Sequence, residues 1–276
     1  MIVIADSGST KTDWALVEGA QHSVETTQGI NPFHQPREEI LRILREELLP
    51  HIEVKSVSYV YFYGSGIRPE MESVMEEMLR EVFSYAKAVE AHSDLLGAAR
   101  ALCGHCEGIA CILGTGANSC LYDCNHIVKN TPALGYILGD EGSGAVLGKR
   151  FLHDLYSGLL SDKIKMDFEA STGLSLPDII RRVYRESMPN RFLASISPFI
   201  HDHLDNPAIR QQVIDCFTDF LRIHIAPYQR PDLPISFVGS IAWYYQNELH
   251  EAAEAFGYKI GTVMRTPLEG LVCYHS

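Results

Sequence analysis

The stretch MIVIADSGSTKTDWALV, Met1–Val17, decides the fold. A short apolar run, Ile2–Ala5, stops at Asp6, and after Ser7-Gly8-Ser9-Thr10-Lys11 the apolar pattern resumes at Trp14-Ala15-Leu16-Val17, which reads as strand, small-residue turn, strand. The turn combines residues small enough for main-chain amides to approach phosphate oxygens, hydroxyl donors, and an acid, Asp6, able to order magnesium through water. Taken alone, a plain β-hairpin meets the same description. About a hundred residues later the same sentence is repeated: Gly108–Leu113 is a strand, Gly114-Thr115-Gly116-Ala117-Asn118 a second small-residue turn, and Ser119–Tyr122 a return strand. Two such turns at matching places in two α/β units suggest two phosphate loops facing each other across a cleft. The pairing carries the information.

Working outward, Ile40, Ile43, Leu44 and Leu48 follow one helical face closed by Pro50, and Met71, Val74, Met75, Met78, Leu79, Val82 and Phe83 do the same over three turns. Ser56–Tyr63 suits a buried strand, and Ile235–Val238 another. Helices are expected over Asp94–Cys103, Ser143–Tyr156, Pro177–Glu186, Ala208–Ile225 and after Pro267. No low-complexity linker interrupts the chain. The repeated start therefore sets the expected lobe boundary, giving lobes 1–107 and 108–276, with the last helix packing back on the first.

A length of 276 residues fits one to two domains, and 46% hydrophobic with 21% charged residues is an ordinary globular composition. A net charge of −12 opposes nucleic acid over most of the surface. No apolar run approaches the roughly 20 residues that span a bilayer, and the N-terminus has neither a basic segment nor a cleavage site. A cytoplasmic protein without membrane or nucleic acid partners is expected, its seven irregularly spaced cysteines reduced. Cys103, Cys106, Cys120 and Cys124, with His105 and His126 nearby, can be drawn as a zinc site. Against that, Cys111 and Cys120 fall in expected strands, where a thiol acts as a small buried hydrophobe. His201-Asp202-His203 reads as a solvated loop. GAVLGKR at Gly144–Arg150 fails the P-loop rule, which needs Gly at Ser143 and a hydroxyl at Arg150; GxGxxG, HExxH and GxSxG signatures are also missing.

Six blocks resemble one family: DSGSTKTDW at Asp6–Trp14, GIN at Gly29–Asn31, SDLLGAARA at Ser93–Ala101, ILGTGANS at Ile112–Ser119, ALGYILGDEGSG at Ala133–Gly144 and FVGSIA at Phe237–Ala242. In family order over almost the whole chain, they resemble the N-acetylglucosamine kinase branch of the BadF/BadG/BcrA/BcrD ATPases, within the actin-like sugar kinase and Hsp70 superfamily. The resemblance implies an α/β fold of two actin-like (ribonuclease H-like) lobes, each a mixed β-sheet flanked by helices, with ATP and sugar meeting in the cleft. It implies that Gly8, Ser9, Thr10 and Lys11, with Asp6, form the first phosphate and magnesium site, and that Gly114, Thr115 and Gly116 form the second. Gly239 and Ser240 would lie against the adenosine. Asn31, Asn118, Ser119, Gly135 and Asp140 would hydrogen-bond the sugar, and Asp94 would be the catalytic base. The role of Glu141 stays open. A homodimer also fits the resemblance. Where the family carries GGGT in the first loop, Ser7 and Ser9 here replace two glycines.

The chemistry supports Asp94 independently, because phosphoryl transfer to a sugar hydroxyl needs a proton acceptor beside magnesium and in-line positioning. A first-turn acid that merely stabilises a helix is the plainer reading of that residue. The implied activity is ATP-dependent phosphorylation of an amino sugar, first of all N-acetylglucosamine at the 6-hydroxyl; N-acetylmannosamine, N-acetylmuramic acid, glucosamine and glucose are the other substrates. Two other classes share the nucleotide motifs: an ATPase that activates a 2-hydroxyacyl-CoA dehydratase, and a nucleotide-binding regulator without catalysis. The cluster-bearing cysteines of the first have no convincing match here, while Asn31, Asp94 and Asp140 suit a sugar.

Overall fold

The structure is a computed structural model that describes residues 1–8 and 10–276. Five strands, β1 (Ile2–Ser7), β2 (Lys11–Glu18), β3 (Gln21–Gln28), β4 (Tyr59–Gly64) and β5 (Ala88–Ser93), form one sheet in the order β3-β2-β1-β4-β5. β1 pairs antiparallel with β2 and parallel with β4, and β5 continues the parallel half. A second sheet holds β6 (Glu107–Leu113), β7 (Ala117–Asp123), β8 (Ile127–Asn130), β9 (Ile235–Val238) and β10 (Ile260–Met264) in the order β10-β9-β6-β7-β8. The two sheets are mixed and flanked by helices, as expected for an α/β chain with a repeated start.

The helices beside the first sheet are α1 (Arg37–Arg42), α2 (Pro69–Val82) and α3 (Asp94–Cys103). There follow α4 (Gly135–Leu138), α5 (Gly144–Tyr156), α6 (Asp162–Thr172), α7 (Leu176–Tyr184), α8 (Pro189–Ala194), α9 (Ser197–Asp202) and α10 (Pro207–Phe220). The series closes with α11 (Ser240–Tyr244), α12 (Gln246–Ala255) and α13 (Leu268–His275). π-helical turns extend α1 over Ile43–Leu48 and α10 over Leu221–Ile225.

The chain divides into two compact units, the first made of Met1–Cys106, Asp123–Ile127 and Thr266–Ser276, the second of Glu107–Tyr122 and Val128–Arg265. In the first unit, alternation along β1 sorts side chains to two cores. Val3 and Ala5 join Trp14, Phe62 and the Met75 and Met78 face of α2, whereas Ile4 joins Ala15, Tyr63 and Leu271 beneath α3 and α13. The methionine-rich face is thus core. Gly270 lets α13 approach α3 closely, since a Cβ there would stand 2.5 Å from the Ala101 carbonyl oxygen. The second unit has a continuous core of its own, with Phe151, Phe168, Phe217, Phe220 and Phe237 fully buried.

Two elements differ from the sequence reading. β3, QHSVETTQ, is mostly exposed and polar; it is a strand because its backbone continues the sheet from β2, with Lys11 to Glu18 in register with Gln28 to Gln21. His201 and Asp202 are not loop but the last residues of α9, with the His203 ring stacked on Phe199 at 4.0 Å. Cys111 and Cys120 are fully buried in strands, and among the described residues no group of three or more His, Cys, Asp or Glu side chains is placed to hold a metal ion.

Candidate active site

In the first unit the strand ends assemble the candidate residues. β1, β4 and β5 run parallel and stop level with one another, with Ser7, Gly64 and Ser93 in one row, and α3 starts immediately at Asp94. Ligands of α/β sheets bind beyond such carboxyl ends. Ser93 caps α3, its hydroxyl accepting from the Leu96 N–H at 3.2 Å. Asp94 is therefore not required as the cap. Its carboxylate accepts from the Leu95 N–H, and burial raises its pKa above the ordinary carboxylate range.

Asp6 stands directly across from Asp13 in the antiparallel pair, on one face of the sheet. Burial, then the charges of Asp94 and Asp13, push its carboxyl up to about 7, with Lys11 opposing. Like charges opposite one another destabilise a strand pair. The Asp6 carboxylate is the kind of hard oxygen donor that orders a divalent cation through water, while among the described residues no group of three ligating side chains is placed to hold one directly. The first loop itself is closed by the Gly8 N–H donating to the Lys11 carbonyl at 3.0 Å. The Lys11 ammonium meets Asp13 at 2.5 Å, which leaves it exposed but ion-paired. Ser9 lies outside the described residues.

Ser7 and Thr12, both buried, have a structural task. Their hydroxyls lie 2.6 Å apart, Ser7 donates to the Ile30 carbonyl at 2.8 Å, and the Ile30 N–H lies 3.2 Å from each. This tie fixes the residue before Asn31. Asn31 uses Oδ1 to accept from the Phe33 N–H at 3.0 Å, and its Nδ2 has no partner among the described residues. Gly66 makes room for it, because a Cβ there would fall 2.1 Å from Asn31 Oδ1 and its φ is +82°.

The raised Asp6 pKa has a sign that can be checked. Between the ordinary value of 3.8 and about 7 the folded state binds more protons than the unfolded one, so Asp6 reduces stability progressively as pH rises through that window. Asp6→Asn is expected to raise the melting temperature of metal-free protein more at pH 8 than at pH 5. An equal or opposite shift at the two pH values, by calorimetry in chelator, would remove the charge crowding.

In the second unit the turn after β6 is closed by the Gly114 N–H donating to the Gly116 carbonyl at 3.0 Å. The start of α5 holds it from below: the Gly144 and Ala145 N–H groups donate to the Gly114 and Thr115 carbonyls at 2.9 and 3.2 Å. Thr115 is exposed at the tip. Gly239, at φ +126°, lies against the same turn, for a Cβ there would stand 2.2 Å from the Leu113 carbonyl oxygen. Ser240 follows, exposed, and lines a cavity of about 400 Å³ with Pro198, His201, Ile241, Tyr244 and Tyr245.

Asp140 is buried with a left-handed backbone, φ +57°. Its carboxylate accepts from the Ala117 and Gly135 N–H groups, yet burial keeps its pKa raised. Gly116 lies beside it, with a Cβ position only 3.1 Å from Asp140 Oδ2. Asn118 accepts on Oδ1 from the Ser119 N–H and from Asn130 Nδ2, at 2.9 and 3.0 Å. Ser119 is fully buried, its hydroxyl 2.7 Å from the Tyr228 hydroxyl, so its side chain supports the strand from within. Gly114, Gly116, Asp140, Gly135 and Asn118 are thus gathered around one turn, with Gly239 behind it. Sequence reasoning missed the Ser7–Thr12–Ile30 tie, the His201 and Tyr244 cavity, and a contact of 2.9 Å between His224 Nε2 and Glu141 Oε2. Only the position of Glu141 beside Asp140 could have signalled the last.

No family model matches the chain, and no curated protein sequence matches it. Solved structures do. The "putative N-acetylglucosamine kinase" of Porphyromonas gingivalis is 48% identical, with 100% of this chain and 98% of that one covered and a TM-score of 0.96. The protein of the same description from Chromobacterium violaceum is 16% identical over 100% and 98% of the two chains, with a TM-score of 0.74. A ROK family glucokinase from Streptomyces griseus, solved with glucose and AMPPNP, is 14% identical over 99% and 97%, with a TM-score of 0.53. The last two share the fold with this chain.

Proposed function

The chain belongs to the N-acetylglucosamine kinase-like family of actin-like proteins represented by the Porphyromonas gingivalis structure, and on that premise we propose that it is an ATP-dependent amino-sugar kinase acting on the 6-hydroxyl of N-acetylglucosamine. The observation that carries the reading is Asp94: a carboxylate one residue beyond a strand end, relieved of capping by Ser93 and held above the ordinary pKa range. A base raised toward the working pH takes a proton more effectively in the transition state.

In this reading Asp94 accepts the proton of the sugar hydroxyl as it attacks the γ-phosphorus. The two turns at 8–11 and 114–116 bind phosphate oxygens through main-chain N–H groups other than those of Gly8 and Gly114, which close the turns, and Gly239 and Ser240 bind the adenosine beside the Tyr244 cavity. Asp6 would hold magnesium through water, and magnesium supplies neutralisation of charge on the phosphate oxygens. Asp140 keeps two of its roughly four acceptor sites on the Ala117 and Gly135 N–H groups, leaving two for sugar hydroxyls. The Nδ2 groups of Asn31 and Asn118 donate to the sugar, while Ser119 and the tie through Ser7 hold those two asparagines in place.

Phosphorus and proton NMR of the product tests the assignment: a sugar phosphate with phosphorus coupled to the C6 protons is expected, and phosphate on another carbon, or free phosphate alone, would overturn it. Asn31→Ala is expected to raise sugar KM about tenfold, one lost polar contact being worth about 1–1.5 kcal/mol, with ATP KM within about twofold. Steady-state kinetics with each substrate varied in turn decides this, and an unchanged sugar KM would take Asn31 out of the site.

A further inference from the structure

We propose that His224 is a positioning residue for the sugar site, acting through Glu141 on the left-handed Asp140. The inference rests on the reading that Asp140 contacts the sugar. His224 lies in the π-helical turn Leu221–Ile225 that continues α10, and such widened turns are rare and concentrate at functional sites. The turn directs the imidazole inward, where it is 2% exposed and stacks on Phe220 with ring centroids 5.2 Å apart. Nε2 lies 2.9 Å from Glu141 Oε2. A carboxylate only accepts, so Nε2 carries the proton and donates.

The same short segment reaches the other sugar-site residues of this unit. The His224 carbonyl accepts from Thr131 Oγ1 at 3.1 Å and Ser119 Oγ at 3.4 Å. The Tyr228 hydroxyl, four residues on, lies 2.7 Å from Ser119 Oγ and accepts from the Thr131 N–H at 3.1 Å. Gly142, just past Glu141, packs on Phe220 so closely that a Cβ would stand 3.0 Å from the Phe220 Cβ. Residues 220–228 therefore clamp both neighbours of the candidate sugar contacts: Ser119 beside Asn118, and Glu141 beside Asp140.

Stability does not account for the imidazole. Its Nδ1 is buried and has no hydrogen-bond partner among the described residues, which costs stability, and an apolar side chain of similar size would carry no such cost. What an apolar side chain would lose is the grip on Glu141. Asp140 is held by the two N–H groups on its carboxylate and by the Ser143 N–H donating to its carbonyl at 3.0 Å; Glu141 lies inside that turn, so freeing it widens the orientations Asp140 samples before sugar arrives.

The test compares His224→Leu, His224→Gln, Glu141→Ala and the His224→Leu/Glu141→Ala double variant with wild type, by melting temperature, KM for both substrates and kcat. His224→Leu is expected to melt within a few degrees of wild type or above it, to raise sugar KM about tenfold and to leave ATP KM within about twofold. Gln at 224, which can still donate to Glu141, should restore most of the sugar KM, and the double variant should be no worse than the leucine variant, since residues acting through one contact are not additive. A folded His224→Leu protein with sugar KM within about twofold of wild type overturns the proposal, as does additivity in the double variant. Asp140→Ala, measured alongside, separates the two ideas: if it leaves sugar KM unchanged, the sugar role of Asp140 has failed. Amide hydrogen exchange at residues 139–142 then decides the positioning role, with exchange at least about tenfold faster in His224→Leu supporting it and unchanged exchange refuting it.

Discussion

Asp94→Asn is expected to lower kcat by about 10²–10⁴-fold, the range that a positioned general base contributes, with ATP affinity within about twofold of wild type. The separation follows from the local structure. Ser93 supplies the cap of α3, so the helix keeps its start, and the asparagine oxygen can still accept from the Leu95 N–H that the carboxylate uses now. What the substitution removes is the proton acceptor and one of the negative charges that raise the pKa of Asp6. The pH profile gives a second signature. Because burial holds the Asp94 carboxyl above its ordinary range, the wild-type rate should rise with pH as that group ionises, and the variant should lose this part of the rise and keep only what the ionisation of Asp6 contributes. Stopped assays across pH together with calorimetric titration of nucleotide check both statements. A variant that retains kcat within about tenfold of wild type would leave Asp94 as a first-turn acid only.

Gly239→Ala should be the most damaging single methyl in the candidate nucleotide site. Two costs coincide there. At φ +126° a residue with a Cβ is strained, typically by about 1–3 kcal/mol, and the added carbon would stand 2.2 Å from the Leu113 carbonyl oxygen and 3.2 Å from the Gly114 nitrogen, an overlap of backbone that costs a further 1–3 kcal/mol, roughly. Both atoms belong to the junction of β6 and the Gly114–Gly116 turn. The relief available is a shift of that turn. The expected result is a loss of about 2–6 kcal/mol of stability by denaturant unfolding, or, where the turn yields instead, an ATP KM at least about tenfold higher with a smaller change for sugar. Normal stability combined with normal ATP KM would separate Gly239 from the second turn.

How much of this was legible in the sequence depends on whether the signal is local. The hairpins at Ile2–Val17 and Gly108–Tyr122 are legible because apolar strands are interrupted by glycine and hydroxyl residues at matching places, and both strand pairs form with closed turns. α3 begins at Asp94 as expected because its apolar spacing and its serine cap are adjacent in the chain. β3 is not legible: eight mainly polar residues take the strand conformation only because β2 offers an unpaired edge. The helix expected over Ala208–Ile225 forms, but periodicity gives no warning that its last turn widens and rotates His224 inward. Pairings such as His224 with Glu141, or Ser7 with Ile30, join distant positions, and no spacing rule marks them. Ser7 is the sharper lesson. Read as a glycine replaced in a phosphate turn, it proves to be buried, with its hydroxyl holding the segment that carries Asn31.

The central claim is that phosphate moves from ATP to an amino sugar on this chain. The most direct measurement is ADP release from magnesium-ATP by the purified protein, with N-acetylglucosamine and without it. The account predicts little release alone and strong stimulation by the sugar, abolished in Asp94→Asn; release that ignores the sugar, or none with any of the sugars considered, would contradict it.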